Sequence, residues 1–176
     1  MATSKGLFPH SLISPEAAGA FPKSFTIRPL EKEDYARGYL DCLRVLTWVG
    51  DLTEEEFNER YEEMVAAKGT YYLLVIEHEN RIVGTGSLVV EKKFIHNRGL
   101  CGHIEEIAIA KELQGKGLGL LMIQALDSVA KNVGCYKNIL NCSPKNEPFY
   151  VKCKYFNSGA EMSHYFEKEK ESYYRG

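Results

Sequence analysis

The chain has 176 residues, 44% hydrophobic and 26% charged, with 22 Lys+Arg against 24 Asp+Glu and a net charge of −2. That is the size of one ordinary domain, with core enough to need no disulfide or metal staple, and the composition excludes a wholly disordered chain. The basic excess of a general nucleic-acid binder is missing, and no apolar run approaches the ~20 residues that cross a bilayer.

The opening residues, Met1 to Gly6, lack the apolar core of a secretory signal. Residues 1–24 carry Gly6, Pro9, Pro15, Gly19 and Pro22 with no hydrophobic period, and are expected to form a flexible leader that docks, if at all, through Phe21. The domain is expected over 25–167. It opens with an alternating run at 25–30, read as an edge strand because Pro29 withdraws an N–H. Over 31–48, Tyr35, Tyr39, Cys42, Leu43 and Leu46 recur three or four apart and predict an amphipathic helix. Thr53 with Glu56 forms a capping box for a second helix, with Phe57, Tyr61, Met64 and Val65 as its apolar stripe and Lys68-Gly69 as its close.

Strands are predicted at 71–77, 81–94 and 103–110, the first two joined by a hairpin-length connection. Gly84 and Gly86 interrupt the second strand and imply a bulge or a close backbone approach. A helix follows with Leu118, Leu121, Met122, Ala125, Leu126 and Val129 on one stripe, ended by Gly134. A strand at 136–142, a short helix capped by Asn146, a last strand at 160–166 and a charged tail at 168–176 complete a single mixed α/β domain.

The most informative stretch is Gln114-Gly115-Lys116-Gly117-Leu118-Gly119, between a strand and a helix. Its three glycines let the backbone turn sharply with N–H groups outward, and the helix N-terminus adds a positive dipole end. It is neither a Walker loop nor a dinucleotide fingerprint, whose spacings differ. Such a turn can be purely structural. Between a strand and a long helix, a pyrophosphate held by backbone N–H groups is the better reading.

Glu105 and Glu106 are adjacent in an apolar strand. In a regular strand Glu105 would face with Ile107 and Ile109, and Glu106 with Ile104 and Ala108. A buried carboxylate in a central strand is costly without a task, and proton abstraction is one. Lys92, Lys93, His96 and Arg98 place four basic groups in seven residues, either a solvated face or an anion site. The five cysteines, Cys42, Cys101, Cys135, Cys142 and Cys153, form no C-x-x-C pair and no metal-ligand spacing, and no histidine stands at a nucleophile-activating spacing. They read as reduced thiols of a cytoplasmic protein, mostly in the core, and His103 reads as structural.

The segment Glu106-Ile-Ala-Ile109 followed by the glycine loop resembles the acetyl-coenzyme A site of the GNAT superfamily of N-acetyltransferases, and Asn146-Glu-Pro-Phe-Tyr150 resembles a segment near that superfamily's C-terminus. Residues 44–50, 91–96, 99–105 and 134–137 are similar to the branch that acetylates glucosamine 6-phosphate. The resemblance covers about Phe25 to Met162.

It implies a strongly twisted central sheet, flanked by helices and splayed between the strand of Glu105 and the strand of Tyr136, with a slot for the pantetheine arm. It also implies acetyl transfer from acetyl-CoA to the 2-amine of glucosamine 6-phosphate by direct attack, on the way to UDP-N-acetylglucosamine, in a homodimer. Catalytic roles fall to Glu105 and Glu106 beside the amine and to Tyr150 at the departing thiolate. Acetyl-CoA would lie against Ile107, Ala108, Ile109, Gln114, Gly115, Lys116, Gly117, Leu118, Gly119, Asn141, Asn146 and Tyr150. The sugar phosphate would meet Thr47, Lys92, Lys93, Phe94, Ile95, His96, Ile104, Glu105, Glu106, Cys135, Tyr136 and Lys137, with no metal.

Three positions depart from the branch's pattern: Asn141 where an acidic residue is usual, Tyr165 where an arginine is usual, and Lys154-Tyr155 where Gly-Phe or Gly-Tyr is usual. Another amine as acceptor, such as a polyamine or a protein N-terminus, or a non-catalytic acyl-CoA-binding module, are the alternatives.

Overall fold

The computed structural model describes residues 6–164 and 166. In chain order the elements are α1 (Pro15–Gly19), β1 (Phe25–Pro29), α2 (Tyr39–Leu43), α3 (Glu54–Ala66), β2 (Tyr71–His78), β3 (Arg81–Lys92), a distorted turn α4 (Ile95–Arg98), β4 (Leu100–Ile109), α5 (Leu118–Val133), β5 (Cys135–Ile139) and α6 (Glu147–Lys152). The strands form one sheet in the order β1-β2-β3-β4-β5, antiparallel except for the parallel β4–β5 pair.

The β2–β3 hairpin closes through Glu79 and Asn80, both at positive φ, which matches the right-handed twist of the flanking strands. Leu73, Leu74, Val75 and Ile76 are all buried because the sheet is covered on both faces. On one face lies α5, whose Leu118, Met122, Ala125, Leu126 and Val129 are fully buried. On the other, α2 and α3 pack through Tyr39, Leu40, Phe57 and Tyr61. Each such side chain contributes roughly 1.5–3 kcal/mol on burial.

Gly84 and Gly86 are close approaches, as expected. A Cβ on Gly86 would stand 2.9 Å from Ile107, Leu126 and Met122, and one on Gly84 would stand 2.7 Å from Ile76. The capping box of α3 forms: Glu56 N–H donates to Thr53 Oγ1 (3.2 Å) and Thr53 N–H donates to Glu56 Oε2 (2.7 Å).

Residues 6–24, ahead of β1, correct the expectation of a flexible leader. Phe8, Ile13 and Phe21 are buried in the α5-side core, Leu7 N–H donates to Leu30 O (2.8 Å), and Asn132 of α5 donates to Leu12 O (2.9 Å). Three separate apolar anchors do what a periodic stripe would otherwise do.

The helix expected over 31–48 is also corrected. It is a 3-10 turn at Lys32–Asp34 and the short α2, parted by Gly38 at φ +86°. Asp34, fully buried, accepts from Arg28 Nη1 (2.8 Å), Arg28 Nη2 (2.7 Å) and Arg37 Nη1 (3.1 Å), while Arg28 also donates to Glu77. Those charge-assisted bonds hold the turn against the helical period.

Strand bounds also shift. The strand expected at 103–110 begins at Leu100, the one expected at 81–94 ends at Lys92, and the one expected at 136–142 is Cys135–Ile139. Residues 160–164 of the predicted last strand form no strand; Tyr165 and the charged tail at 168–176 lie outside the described residues.

Candidate functional site

The glycine loop is exposed and leads straight into α5. Gly115 (φ +76°) and Gly117 (φ +83°), the N-cap of α5, are left-handed, and a Cβ on either would meet nothing within 4 Å. Their backbone therefore faces open space, while the first-turn N–H groups of a helix have no intrahelical acceptor. Gln114 Nε2 donates to Ile109 O (3.0 Å), tying the loop to the end of β4. Gly119 lies under α6, where a Cβ would stand 3.2 Å from the Phe149 ring. Lys116 is exposed and Leu118 is core.

Beside the loop the sheet opens. β5 pairs with β4 only from Leu100 to His103, whereas β3 follows β4 to Ile109. From Ile104 onward the β5-side edge of β4, including Ile107, Ala108 and Ile109, has no strand partner among the described residues.

Within that free stretch the alternation of β4 breaks. Ser87 pairs with Glu105 and Thr85 with Ala108, so two residues, Glu106 and Ile107, oppose Gly86. Glu106 is the bulged residue, at φ +55°. Ile104, Ile107 and Ile109 consequently all pack on the α5 side, which a regular strand forbids.

The glutamates do not face opposite sides. Directly paired residues share a face, which puts Glu105 on the Ser87 side, and the Ser87 hydroxyl donates to Glu106 Oε2 (3.1 Å). Thr85 Oγ1 donates to the Glu106 carbonyl (3.1 Å). Both glutamates are exposed, so burial does not hold either carboxylate, contrary to expectation.

Tyr150 lies on α6, half-buried, its ring edge-on to Phe149 at 5.0 Å. Burial pushes its hydroxyl up to about 12, with smaller contributions from Cys142, Cys153 and Glu105. The charges of Glu105 and of Cys142 thus bear on Tyr150; Cys142 follows the exposed Asn141 beyond the end of β5. Asn146 stands at the α6 N-cap, where its carbonyl accepts from the N–H groups of Phe149 and Tyr150; its side chain makes no cap bond, contrary to expectation.

The residues expected to meet the sugar phosphate divide into two groups. Thr47 lies in a pocket formed by residues 44 and 46–51, on the α2 side of the sheet. The basic segment lies elsewhere, at the Leu100 end of β4. Glu105 is five residues along that strand, roughly 17 Å at ~3.4 Å per residue.

In that segment Lys92 and Arg98 are exposed, and Lys93 is paired to Glu91 (2.6 Å), which also meets His103 (3.0 Å). His96, at φ +52°, packs its ring against Tyr136, tilted by 31° with centroids 4.4 Å apart. Phe94 is 98% exposed and Ile95 is 62% exposed. Cys135 is half-buried at the start of β5, and Lys137 is exposed beside it. One copy of the chain therefore does not bring segment 92–98 to the carboxylates.

Other residues escaped the sequence reading. Asp127 on α5 accepts from Asn138 Nδ2 of β5 (2.7 Å) and from the Tyr155 hydroxyl (2.6 Å), tying α5, β5 and the segment after α6 together at the root of the opening. An aspartate beside Leu126 on an amphipathic helix gives no signal of that. Ser87, the donor to Glu106, belongs to no motif in the sequence. All five cysteines are free thiols: Cys42, Cys101 and Cys153 are buried, and burial pushes Cys42 and Cys153 up to about 11.

The family model for the acetyltransferase (GNAT) family matches residues 31–155. The glucosamine 6-phosphate N-acetyltransferase of Candida albicans is 46% identical over 142 residues, spanning 80% of this chain and 95% of that protein. Glucosamine 6-phosphate N-acetyltransferase 1 of Dictyostelium discoideum is 44% identical over 142 residues, 80% and 90% of the two chains. The crystal structure of the Arabidopsis thaliana glucosamine-6-phosphate N-acetyltransferase superposes with a TM-score of 0.80 at 41% identity, covering 82% of this chain and all of that one.

Proposed function

The chain belongs to the acetyltransferase (GNAT) family, and from that premise we propose that it transfers the acetyl group of acetyl-CoA to the 2-amine of glucosamine 6-phosphate. The product, N-acetylglucosamine 6-phosphate, feeds UDP-N-acetylglucosamine synthesis. One observation carries the reading: an anion-accepting turn at the start of α5, an unpaired strand edge at Ile107–Ile109 and a pair of carboxylates meet where β4 outruns β5.

Acetyl-CoA fits the turn, because Gly115 and Gly117 present bare left-handed backbone to open space. Their N–H groups, with the first turn of α5, would hold the pyrophosphate. The edge N–H groups of β4 would align the pantetheine arm and polarise the thioester carbonyl. Glu105 or Glu106 takes a proton from the sugar's ammonium, through water because both are exposed, and so frees the lone pair with which the amine attacks. Tyr150 donates a hydrogen bond to the departing thiolate, and Asn141 orients the acetyl group without acting as a base. Holding both reactants together supplies most of the acceleration.

No acyl-cysteine intermediate is used. The thiols of Cys42, Cys135, Cys142 and Cys153 are all pushed up by burial, the wrong direction for a nucleophile.

The working unit is a cytoplasmic homodimer. Segment 92–98 lies far along β4 from its own carboxylates and exposes Phe94 and Ile95. A second copy covering that surface would bring Lys92, Lys93 and His96 to its own sugar site. Among the described residues no helix is long and apolar enough to cross a membrane.

The test is thiol release from acetyl-CoA against glucosamine 6-phosphate, glucosamine, other phosphorylated amino sugars and a polyamine. Glucosamine 6-phosphate should be turned over best by a wide margin. A polyamine or peptide amine that outruns it would reject the reading.

A further inference from the structure

The pocket of residues 44 and 46–51 has a volume of about 460 Å³ and contains Trp48, the one tryptophan of the chain. The indole is 58% exposed. Its ring lies along Gly50, where a Cβ would stand 3.4 Å from Trp48 Cη2 and Cζ2; Gly50 sits at φ +82°. The loop is preorganised: Arg44 donates to Asp41 Oδ1 (2.6 Å) and to Gly50 O (3.0 Å).

The loop is also fixed in place. Leu46 and Val49 pack into the core cluster that contains Ala108 of β4, and Cys42 donates its S–H to Ala108 O (3.9 Å). Ala108 opposes Thr85, two residues along β3 from Ser87, so Trp48 belongs to the sheet face that carries Ser87, Glu105 and Glu106. The Tyr39 hydroxyl on α2 is raised by burial and then by Glu106, which puts α2 and that carboxylate in one neighbourhood.

We propose that Trp48 is a sugar-contacting specificity residue, its indole face lying against the ring of the acceptor amino sugar; this rests on the functional reading above. A pyranose has an apolar C–H face and a polar rim, and glucosamine adds an ammonium. An aromatic face attracts both the C–H face and the cation. Thr47 and Asp51 in the same pocket supply a hydroxyl and a carboxylate for the sugar rim. Trp48 stands between Thr47 and Val49 in the Thr47-x-Val49-Gly50 stretch, so the contact would set acceptor preference from inside that loop.

As the only tryptophan, Trp48 reports on itself. In the full-length protein, glucosamine 6-phosphate should shift the indole emission to the blue and protect it from acrylamide, saturating in the range of its KM, while acetyl-CoA alone leaves the emission unchanged. Trp48→Ala should raise the KM for glucosamine 6-phosphate roughly 10-fold and Trp48→Phe by a smaller factor, with the KM for acetyl-CoA unmoved. Melting temperatures confirm that both variants are folded. If the enzyme turns over glucosamine 6-phosphate but neither emission nor KM responds, the proposal is overturned and the functional reading stands. Emission that shifts with protein concentration and not with sugar assigns Trp48 to an interface between copies, and also overturns it. Absence of sugar-dependent thiol release from the unmodified protein removes the functional reading and the proposal together.

Discussion

Tyr150→Phe removes one oxygen from a half-buried ring and leaves its packing on Phe149 intact. The hydroxyl is pushed up to about 12, by burial first and then by Cys142, Cys153 and Glu105. An ordinary thiol has a pKa of about 8.5, so complete proton transfer from Tyr150 to the thiolate is uphill by roughly 3.5 pKa units, ~5 kcal/mol. The role proposed for Tyr150 is therefore that of a hydrogen-bond donor to growing negative charge rather than of an acid that empties itself. A hydrogen bond to a charged group contributes roughly 1.5–3 kcal/mol, which converts to a roughly 10- to 150-fold loss of kcat. Both KM values should stay nearly constant, because the bond strengthens only in the transition state. Steady-state thiol release, with chemistry shown to limit turnover, measures the loss. A thioester of a more acidic thiol should shrink it. Full kcat in the variant, or a loss equal for both thioesters, would refute the reasoning and leave Tyr150 a packing residue.

Gly117→Val and Gly119→Val should raise the KM for acetyl-CoA far more than that for the amino sugar; equal effects on both would count against the loop assignment. At Gly117 the left-handed backbone adds a stability cost of about 1–2 kcal/mol, whereas at Gly119 the added side chain would meet Phe149 and Ile109. Arg28→Ala strips buried Asp34 of its bidentate partner and should cost ~3–5 kcal/mol in denaturant unfolding; a loss below ~1 kcal/mol would show that the network is dispensable. Stability should fall as pH rises through 9 to 12. The thiols of Cys42 and Cys153 sit at about 11, and the hydroxyls of Tyr61 and Tyr150 at about 12, in the folded state. The unfolded chain gives up those protons first, so it binds fewer protons over that range and alkali favours it. A melting temperature that holds constant from pH 8.5 to pH 11 would contradict this.

Local rules made most of the scaffold legible. The glycine loop, the unbroken stripe of α5, the capping box of α3 and the close approaches at Gly84 and Gly86 each follow from a few adjacent residues. What stayed illegible depends on partners distant in sequence. Phe8, Ile13 and Phe21 have no period of their own, and only the groove beside α5 makes them core. The helical spacing over 31–48 is real but loses to the Arg28–Asp34–Glu77 network, which needs β1 and β2 in place.

The type and position of Glu105 and Glu106 are legible in the sequence, but their geometry is not. A single extra residue opposite Gly86 turns both toward Ser87, and nothing in Ile-Glu-Glu-Ile announces it. Lys154 offers the reverse lesson. Its φ of +70° explains why a glycine is usual there, which the sequence registered only as a departure.

Acetyl transfer to an amino-sugar phosphate by direct attack leaves no acetyl group on the protein. Its sharpest test incubates the protein with acetyl-CoA labelled in the acetyl group, with and without glucosamine 6-phosphate, and follows the label by mass spectrometry in protein and products. The structure predicts an unlabelled protein in both cases, and labelled N-acetylglucosamine 6-phosphate equal in amount to the coenzyme A released when the sugar is present. Label on a cysteine that chases into product, or coenzyme A release indifferent to the sugar, would contradict it.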